Sequence, residues 1–275
     1  MALLFFEEYA ANSYLYAVLV IGLASLLPMG LLELKGGGLR YSKFAEGKSP
    51  LGEIPSRIAM FLFYFPSAAL AGAVLSATMG ILPSLAPEFL KNTHPSPRFL
   101  VLTAAICIHF SKRVIEVLFV HKYSGNAELL SSLSIVFFYT ASTANLLYAQ
   151  QVAEDLAPPK IDLMFLGCVF FVVGIVGNFY HHDLLAQLRS GRSPQQPRYV
   201  VPHGGLFDLV ACPHYLFEII DFIGLGMISQ TAISAATVML VAFYLTSRSI
   251  STRRWYLKKV DGFPRQRKAL IPFVL

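Results

Sequence analysis

Seven apolar runs, each about long enough to cross a hydrocarbon core as a helix, lie between residues 13 and 250, and they leave this chain few folds to choose from. A crossing helix needs about 20 mostly apolar residues. The runs are roughly Ser13–Leu34, Arg57–Leu82, Phe99–Val120, Ser131–Val152, Ile161–Tyr180, Leu206–Ser229 and Thr231–Ile250. Turn-rich stretches separate them, such as Lys35-Gly36-Gly37-Gly38, Ala86-Pro87-Glu88 and Ser193-Pro194-Gln195-Gln196-Pro197. Lipid offers backbone groups no partners, so runs of this length are helices. The expected fold is an all-α integral membrane protein of about seven transmembrane helices, a single domain over residues 1–275. Composition agrees: only 14% of residues are charged, against roughly 25% in soluble domains. Met1–Ala11 contains Glu7 and Glu8 but no Lys or Arg. A cleavable signal wants a basic start, so the first run is expected to be retained.

An odd number of spans puts the two termini on opposite sides, and the basic residues choose which. Seventeen of the 22 Lys and Arg residues fall on one side. They include Lys35, Arg40, Lys43, Lys48, Arg57, Lys122, Arg189, Arg192, Arg198 and the tail from Arg248 to Lys268. Lys91, Arg98 and Lys160 fall on the other, and Lys112 and Arg113 lie within a run. The positive-inside rule then makes the C-terminus cytosolic and the N-terminus luminal. The net charge of +6 sits between hydrophobic spans, which argues against nucleic acid and for anionic ligands or lipids at the cytosolic face. Cys107, Cys168 and Cys212 are dispersed in apolar stretches, an arrangement suited neither to a disulfide framework nor to a metal site.

Charged groups inside a span cost on the order of 2.5–3.5 kcal/mol each and need a reason. The third run contains His109-Phe110-Ser111-Lys112-Arg113-Val114-Ile115-Glu116. Lys112 and Glu116 share a helix face, and a self-neutralised pair is the plainer reading. Two cations against one anion leave positive charge over, which suits a phosphate. The sixth run carries Cys212-Pro213-His214-Tyr215-Leu216-Phe217-Glu218. Glu218 can orient His214 across one turn, and Pro213 frees carbonyls where a helix lines a cavity; a His–Glu bond locking two helices is the alternative. The fifth run ends Asn178-Phe179-Tyr180-His181-His182-Asp183, with Asn178, His182 and Arg189 on one stripe. A solvated helix end competes with function there, and no metal is expected because no carboxylate or cysteine has ligand spacing nearby. The basic, aromatic tail, Arg253-Arg254-Trp255-Tyr256-Leu257-Lys258-Lys259 and Pro264-Arg265-Gln266-Arg267-Lys268, suits anionic membrane lipid first and a nucleotide second. No Gly-x-Gly-x-x-Gly follows a strand, so a nucleotide is not held in a Rossmann crevice.

Three stretches in order, Pro202-His203-Gly204-Gly205-Leu206-Phe207, Cys212 to Glu218, and Arg267-Lys268-Ala269-Leu270-Ile271-Pro272-Phe273, resemble the steroid 5α-reductase family, whose relatives include very-long-chain trans-2-enoyl-CoA reductases. The resemblance runs from about Ser56 to Leu275, with the catalytic part over about 110–275. It implies a seven-span endoplasmic reticulum protein that binds NADPH from the cytosol and acts on a lipid, in the company of other lipid-synthesis enzymes. Matching positions imply cofactor contacts at Arg113, His121, Asn178, Arg189, Tyr199, His214, Glu218, Tyr256 and Arg267. The substrate end departs from the steroid enzymes. Phe63 and Tyr64 replace their Gln-Glu pair before Pro66, and Phe110 replaces the tyrosine after the third-span histidine. Lys112-Arg113 and Tyr215 instead match the enoyl-CoA reductase pattern.

The implied reaction reduces a carbon–carbon double bond conjugated to a carbonyl, with hydride added at the β-carbon and a proton at the α-carbon. Negative charge builds on the carbonyl oxygen and needs a donor. Tyr215 is the expected donor, assisted by the charge of Lys112, and Tyr64 is expected to hydrogen-bond the carbonyl. An S-adenosylmethionine-dependent methyltransferase is the rival enzyme, but that cofactor has no phosphate to occupy Arg113, Arg189 and Arg267. A lipid transporter is the non-enzymatic rival, and the absence of an internal repeat counts against it.

Overall fold

In the computed structural model, residues 3–7, 10, 12–36, 38–41, 44, 51–85, 95–189 and 199–275 are described. Lys43, Lys48, Lys91, Arg192, Arg198 and the whole of the last two turn-rich stretches lie outside them. The described residues contain seven long helices: α1 (Ser13–Leu34), α2 (Ser56–Thr78), α3 (Pro97–Ile115), α4 (Leu129–Ala153), α5 (Met164–Gln187), α6 (Pro213–Ser229) and α7 (Ala232–Lys259). The all-α membrane fold read from the sequence is the fold observed. Five of the seven are long and apolar enough to cross a membrane: α1, α2, α4, α5 and α7. Two fall short for visible reasons. α3 carries Arg98, Lys112 and Arg113, and α6 has only 17 residues.

Local chemistry sets the helix starts. Asn12, Ser96 and Thr231 each accept a bond from the backbone N–H three residues on, at 3.1, 3.2 and 3.1 Å, satisfying donors that a helix start leaves orphaned. Pro97 and Pro213 occupy first-turn positions, where the missing N–H costs nothing. Three boundaries differ from the sequence expectation. The sixth run does not start at Leu206: Gly205–Asp208 is a 3-10 turn, and the helix begins at Pro213, which cannot continue a ladder from upstream. α5 runs on through His181 and His182 to Gln187, and both histidines are buried, so this is no solvated helix end. α7 continues nine residues past Ile250 to Lys259; at 1.5 Å per residue it is about 42 Å long and outreaches a bilayer core.

Two sets of contacts tie the helix ends. At one end, β1 (Glu53–Pro55) pairs antiparallel with β2 (Asn126–Glu128), with Ile54 opposite Ala127, which joins the starts of α2 and α4. At the other end, Gln230 acts as a staple. Its side chain donates to Leu4 O at 2.7 Å and Ile161 O at 2.9 Å, and accepts from Leu163 N at 2.8 Å and Arg98 Nη1 at 3.1 Å.

α5 and α6 form the closest helix pair, along a seam of glycines. A Cβ added at Gly167 would lie 2.7 Å from Ile228 N, one at Gly224 would lie 2.7 Å from Gly167 O, and one at Gly174 would strike the Asp221 backbone. Small residues let membrane helices approach in this way. Deeper in the bundle, His109 Nδ1 of α3 lies 3.3 Å from Asp221 Oδ2 of α6, both buried.

Candidate active site

The charged residues at the end of α3 form one buried cluster. Lys112 Nζ lies 2.8 Å from Glu116 Oε1, the pair expected from the spacing, and also bonds Asn178 Oδ1 of α5. Arg113 bonds Glu116 through Nη1, reaches His182 Nδ1 at 2.8 Å, and donates from Nη2 to the Tyr64 hydroxyl at 2.8 Å. Its guanidinium lies 4.6 Å from the Tyr64 ring centroid. After Ile115 the backbone makes one turn of π-helix, Glu116–Val120, a device frequent at functional sites. That turn brings His121 edge-on to His182, with ring centroids 4.8 Å apart. Burial, then the nearby Arg113 charge, pushes the His121 pKa down to about 3, so the ring is neutral at physiological pH.

Glu116, His121 and His182 place one donor atom each within 4.8 Å of one another, but two of the three are already engaged. Glu116 is matched by Lys112 and Arg113. His182 Nδ1 lies 2.8 Å from Arg113 Nη1 and 3.1 Å from Glu116 Oε2, accepting from the guanidinium in one tautomer and donating to the carboxylate in the other. Charge at this point favours an anion over a metal ion.

Above the cluster opens a polar cavity. Its wall includes Tyr64, Arg113, His121, Arg189, Tyr199, His214, Tyr215, Glu218 and Tyr256, nine of the twelve residues singled out in the sequence. α2, α3, α5, α6, α7 and the loops between them each contribute. The other three sit behind the wall. Lys112 bonds Glu116 and Asn178. Asn178 donates from Nδ2 to His214 O at 2.9 Å and thereby fixes the start of α6. Arg267 donates to Pro202 O at 2.6 Å and lies 3.2 Å from His203 Nδ1 and 3.6 Å from Asp208 Oδ1, so it pins the loop before α6.

A second, apolar cavity of about 550 Å³ lies between α1, α2, α4 and α7, within the roughly 300–1,000 Å³ usual for ligand sites. Phe63, Ile135, Phe137, Phe138, Leu240 and Val241 line it. The two cavities share Tyr41, Tyr64, Tyr139, Tyr244 and Leu245, so four phenols stand at their junction. Tyr41 and Tyr244 bring their hydroxyls to 3.4 Å, and the Tyr64 and Tyr139 rings lie 5.7 Å apart. Sequence reasoning did not single out Tyr41, Tyr139, Tyr244 or Arg248 as site residues. Arg248 had been counted with the cytosolic tail, yet it lies inside α7, buried, and lines the polar cavity.

Comparison with known proteins agrees with this arrangement. The sequence model of the family described as 3-oxo-5-alpha-steroid 4-dehydrogenase matches residues 127–275, more than half of the chain. The chain belongs to that family. A very-long-chain enoyl-CoA reductase of Dictyostelium discoideum is 31% identical over 195 residues, covering 68% of this chain and 64% of that protein, just under two thirds of its length. Polyprenal reductase 1 of Arabidopsis thaliana is 31% identical over 220 residues, covering 66% of this chain and 68% of its own. Human 3-oxo-5-alpha-steroid 4-dehydrogenase 2 is 29% identical over 265 residues, covering 92% of this chain and 95% of its own. The match to the 3-oxo-5-alpha-steroid 4-dehydrogenase family takes in α4 to α7 and the tail, and with them all wall residues from Arg189 to Tyr256.

Proposed function

We propose that this protein is an NADPH-dependent reductase of a carbon–carbon double bond conjugated to a carbonyl in a lipid. The supporting observation is the pairing of a cationic polar cavity with an apolar one across four tyrosines. The polar wall includes Arg113, Lys122, Arg189 and Arg248 but one carboxylate, Glu218. With Arg113 matched to Glu116 and Arg248 to Glu33, Lys122 and Arg189 still face that single carboxylate. A dinucleotide with a pyrophosphate and a 2′-phosphate fits this excess, and S-adenosylmethionine does not use it. Arg113, Lys122 and Arg189 would hold the phosphates, with Tyr199, His214 and Tyr256 beside the rings. The relatives are named for an enoyl thioester, a polyprenal and a 3-oxo steroid, and these share a carbonyl on a lipid.

Bound there, NADPH supplies hydride. The chain's own residues meet the charge that appears on the substrate. Tyr64 stands at the junction, its oxygen occupied by the Arg113 donor, so its own O–H points onward to the carbonyl oxygen. Charge building on that oxygen is drawn through the phenol toward the guanidinium, a preorganised donor in a water-poor site. Tyr215, on the polar side of the junction, gives the proton to the α-carbon. Lys112 acts on neither directly: it holds Glu116 and Asn178, and through Asn178 the backbone of His214.

We place the protein in the endoplasmic reticulum membrane with its N-terminus luminal and C-terminus cytosolic, where the cationic cavity faces cytosolic NADPH. The test is detergent-purified protein given NADPH, NADH or S-adenosylmethionine with a conjugated-carbonyl lipid. The expected result is loss of NADPH absorbance with a product heavier by two hydrogens. Methyl transfer, or no turnover with a 3-oxo-Δ4-steroid, a polyprenal or an enoyl thioester, overturns the reading.

A further inference from the structure

Arg248 heads the largest fully buried side chains of the protein, at 2% exposure. It sits about three-fifths of the way along α7, and among the described residues its hydrogen bonds, ion pair and ring contacts reach α1 and the segment after it. Nη1 lies 2.8 Å from Glu33 Oε1 and donates to Leu39 O at 3.1 Å, and Nη2 donates to Tyr41 O at 3.3 Å. The same guanidinium lies 4.4 Å from the Tyr41 ring centroid and 3.9 Å from that of Phe44. Two later residues on the same face of α7 continue the grip. Ser251 donates to Glu33 O at 2.9 Å, which also accepts from the Gly36 N–H, and Arg254 donates to Leu34 O at 3.1 Å, so both bind carbonyls at the end of α1.

What this grip holds is the wall between the two cavities. Tyr41 and Phe44 line the polar one, and Gly38 to Tyr41 line the apolar one. A buried cation at this depth is costly unless matched. Glu33 matches the charge, but a lysine would do that as well. Only a planar fork reaches a carboxylate and two carbonyls while stacking on two rings.

We propose that Arg248 is a positioning residue that sets the partition between the cofactor and lipid cavities by fixing Gly38–Tyr41 and Phe44. The role in turnover rests on the reductase reading above; the role in holding the wall does not. A shift of the wall by about 1 Å alters how the two reactants meet, and misplacement of that size costs up to about 10²-fold in rate.

The experiment compares Arg248→Lys, Glu33→Gln and Phe44→Ala with the natural protein in detergent, by thermal unfolding, by tryptic cleavage after Arg40, Lys43 and Lys48, and by kcat and KM. Arg248→Lys keeps the charge and loses the fork. The expected result is cleavage of that segment accelerated about tenfold, a midpoint within about 3 °C of the natural one, and kcat reduced by about 10–100-fold. Glu33→Gln keeps an acceptor for the guanidinium but leaves its buried charge unmatched, so it lowers the unfolding midpoint while changing cleavage and kcat of the folded protein less than Arg248→Lys does. Phe44→Ala, at the loop rather than in the bundle, raises KM for NADPH more than it lowers kcat. If the natural protein turns over no conjugated carbonyl, the reductase reading fails and the cleavage result still decides the role of Arg248. Arg248→Lys with natural cleavage and natural kcat overturns the proposal. So does a loss of activity that only follows the fraction of protein folded.

Discussion

Arg113 Nη2 and the Tyr64 hydroxyl lie 2.8 Å apart, and because the guanidinium can only donate, the phenol is left with its proton to give. Tyr64 also borders both cavities, whereas Tyr215 borders the polar one alone. Tyr64→Phe and Tyr215→Phe each keep the ring and remove one hydroxyl. If Tyr64 polarises the carbonyl and Tyr215 donates the proton, each lowers kcat by about 10²–10⁴-fold with little change in NADPH affinity. The double variant should be little worse than the worse single, since residues acting as a unit are not additive. Steady-state kinetics on a 3-ketone and on an enoyl thioester check this. A Tyr64→Phe enzyme with near-natural kcat on both would remove Tyr64 from the reaction.

Lys112 gives a contrasting expectation. It touches Glu116 and Asn178 but not the cavity, so Lys112→Met should act on the fold more than on the chemistry. Glu116 keeps Arg113, and the loss should be about 1–3 kcal/mol, the cost of one charge-assisted bond in the interior. Thermal unfolding should show a midpoint several degrees lower, with kcat within about tenfold of natural. A kcat loss as large as that of Tyr215→Phe, without loss of stability, would restore Lys112 to the proton-transfer step.

His121 predicts a pH effect with a definite sign. Its folded pKa, about 3, lies below the roughly 6.5 of an unfolded histidine. Between these values the unfolded chain binds a proton that the folded one refuses, so this residue's contribution falls as pH drops from about 6.5 toward 3. His121→Gln removes that dependence. Unfolding midpoints at pH 7.5 and 5.0 should differ less in the variant than in the natural protein, and an equal difference would show that His121 does not titrate this way.

Gln230 makes the strongest stability prediction. It takes a left-handed backbone conformation, φ 52°, at the end of α6, and its buried amide serves four partners. Gln230→Ala leaves the Leu4 and Ile161 carbonyls and the Leu163 amide without that amide, at a combined cost of roughly 3–4 kcal/mol. The midpoint should fall by about 10 °C, with kcat unchanged in the protein that stays folded. A drop of only a degree or two would show that water replaces the amide.

The helices were legible because a 20-residue apolar run has one solution in lipid, and five of the seven also meet the length and hydropathy of a span. Their ends were less so. Pro213 marks the true start of α6, but the stretch Leu206 to Ala211 upstream, apolar except for Asp208, hides it. The cluster of Lys112, Arg113 and Glu116 was legible from spacing alone, since its members lie within one helical turn. The junction tyrosines were not: Tyr41, Tyr139 and Tyr244 come from three distant segments and look like ordinary span or loop aromatics. Arg248 and Glu33 did carry a signal. They are opposite charges inside the seventh and first apolar runs, and buried ions of opposite sign seek one another. Gln230 carried none, because its importance lies in the chain segments it joins.

The glycine seam between α5 and α6 sets one part of the bundle apart from the rest. With no room for a methyl group at Gly167, Gly174 or Gly224, the two helices are packed backbone to backbone as one block, which carries Asn178, His182, His214, Tyr215 and Glu218. A displacement that spoils one of these residues spoils all of them, so that block is held to a single task. The apolar cavity draws instead on α1, α2, α4 and α7, none of which shares the seam. Exchanging side chains there leaves the seam untouched, so the apolar cavity can be reshaped without altering the α5–α6 block.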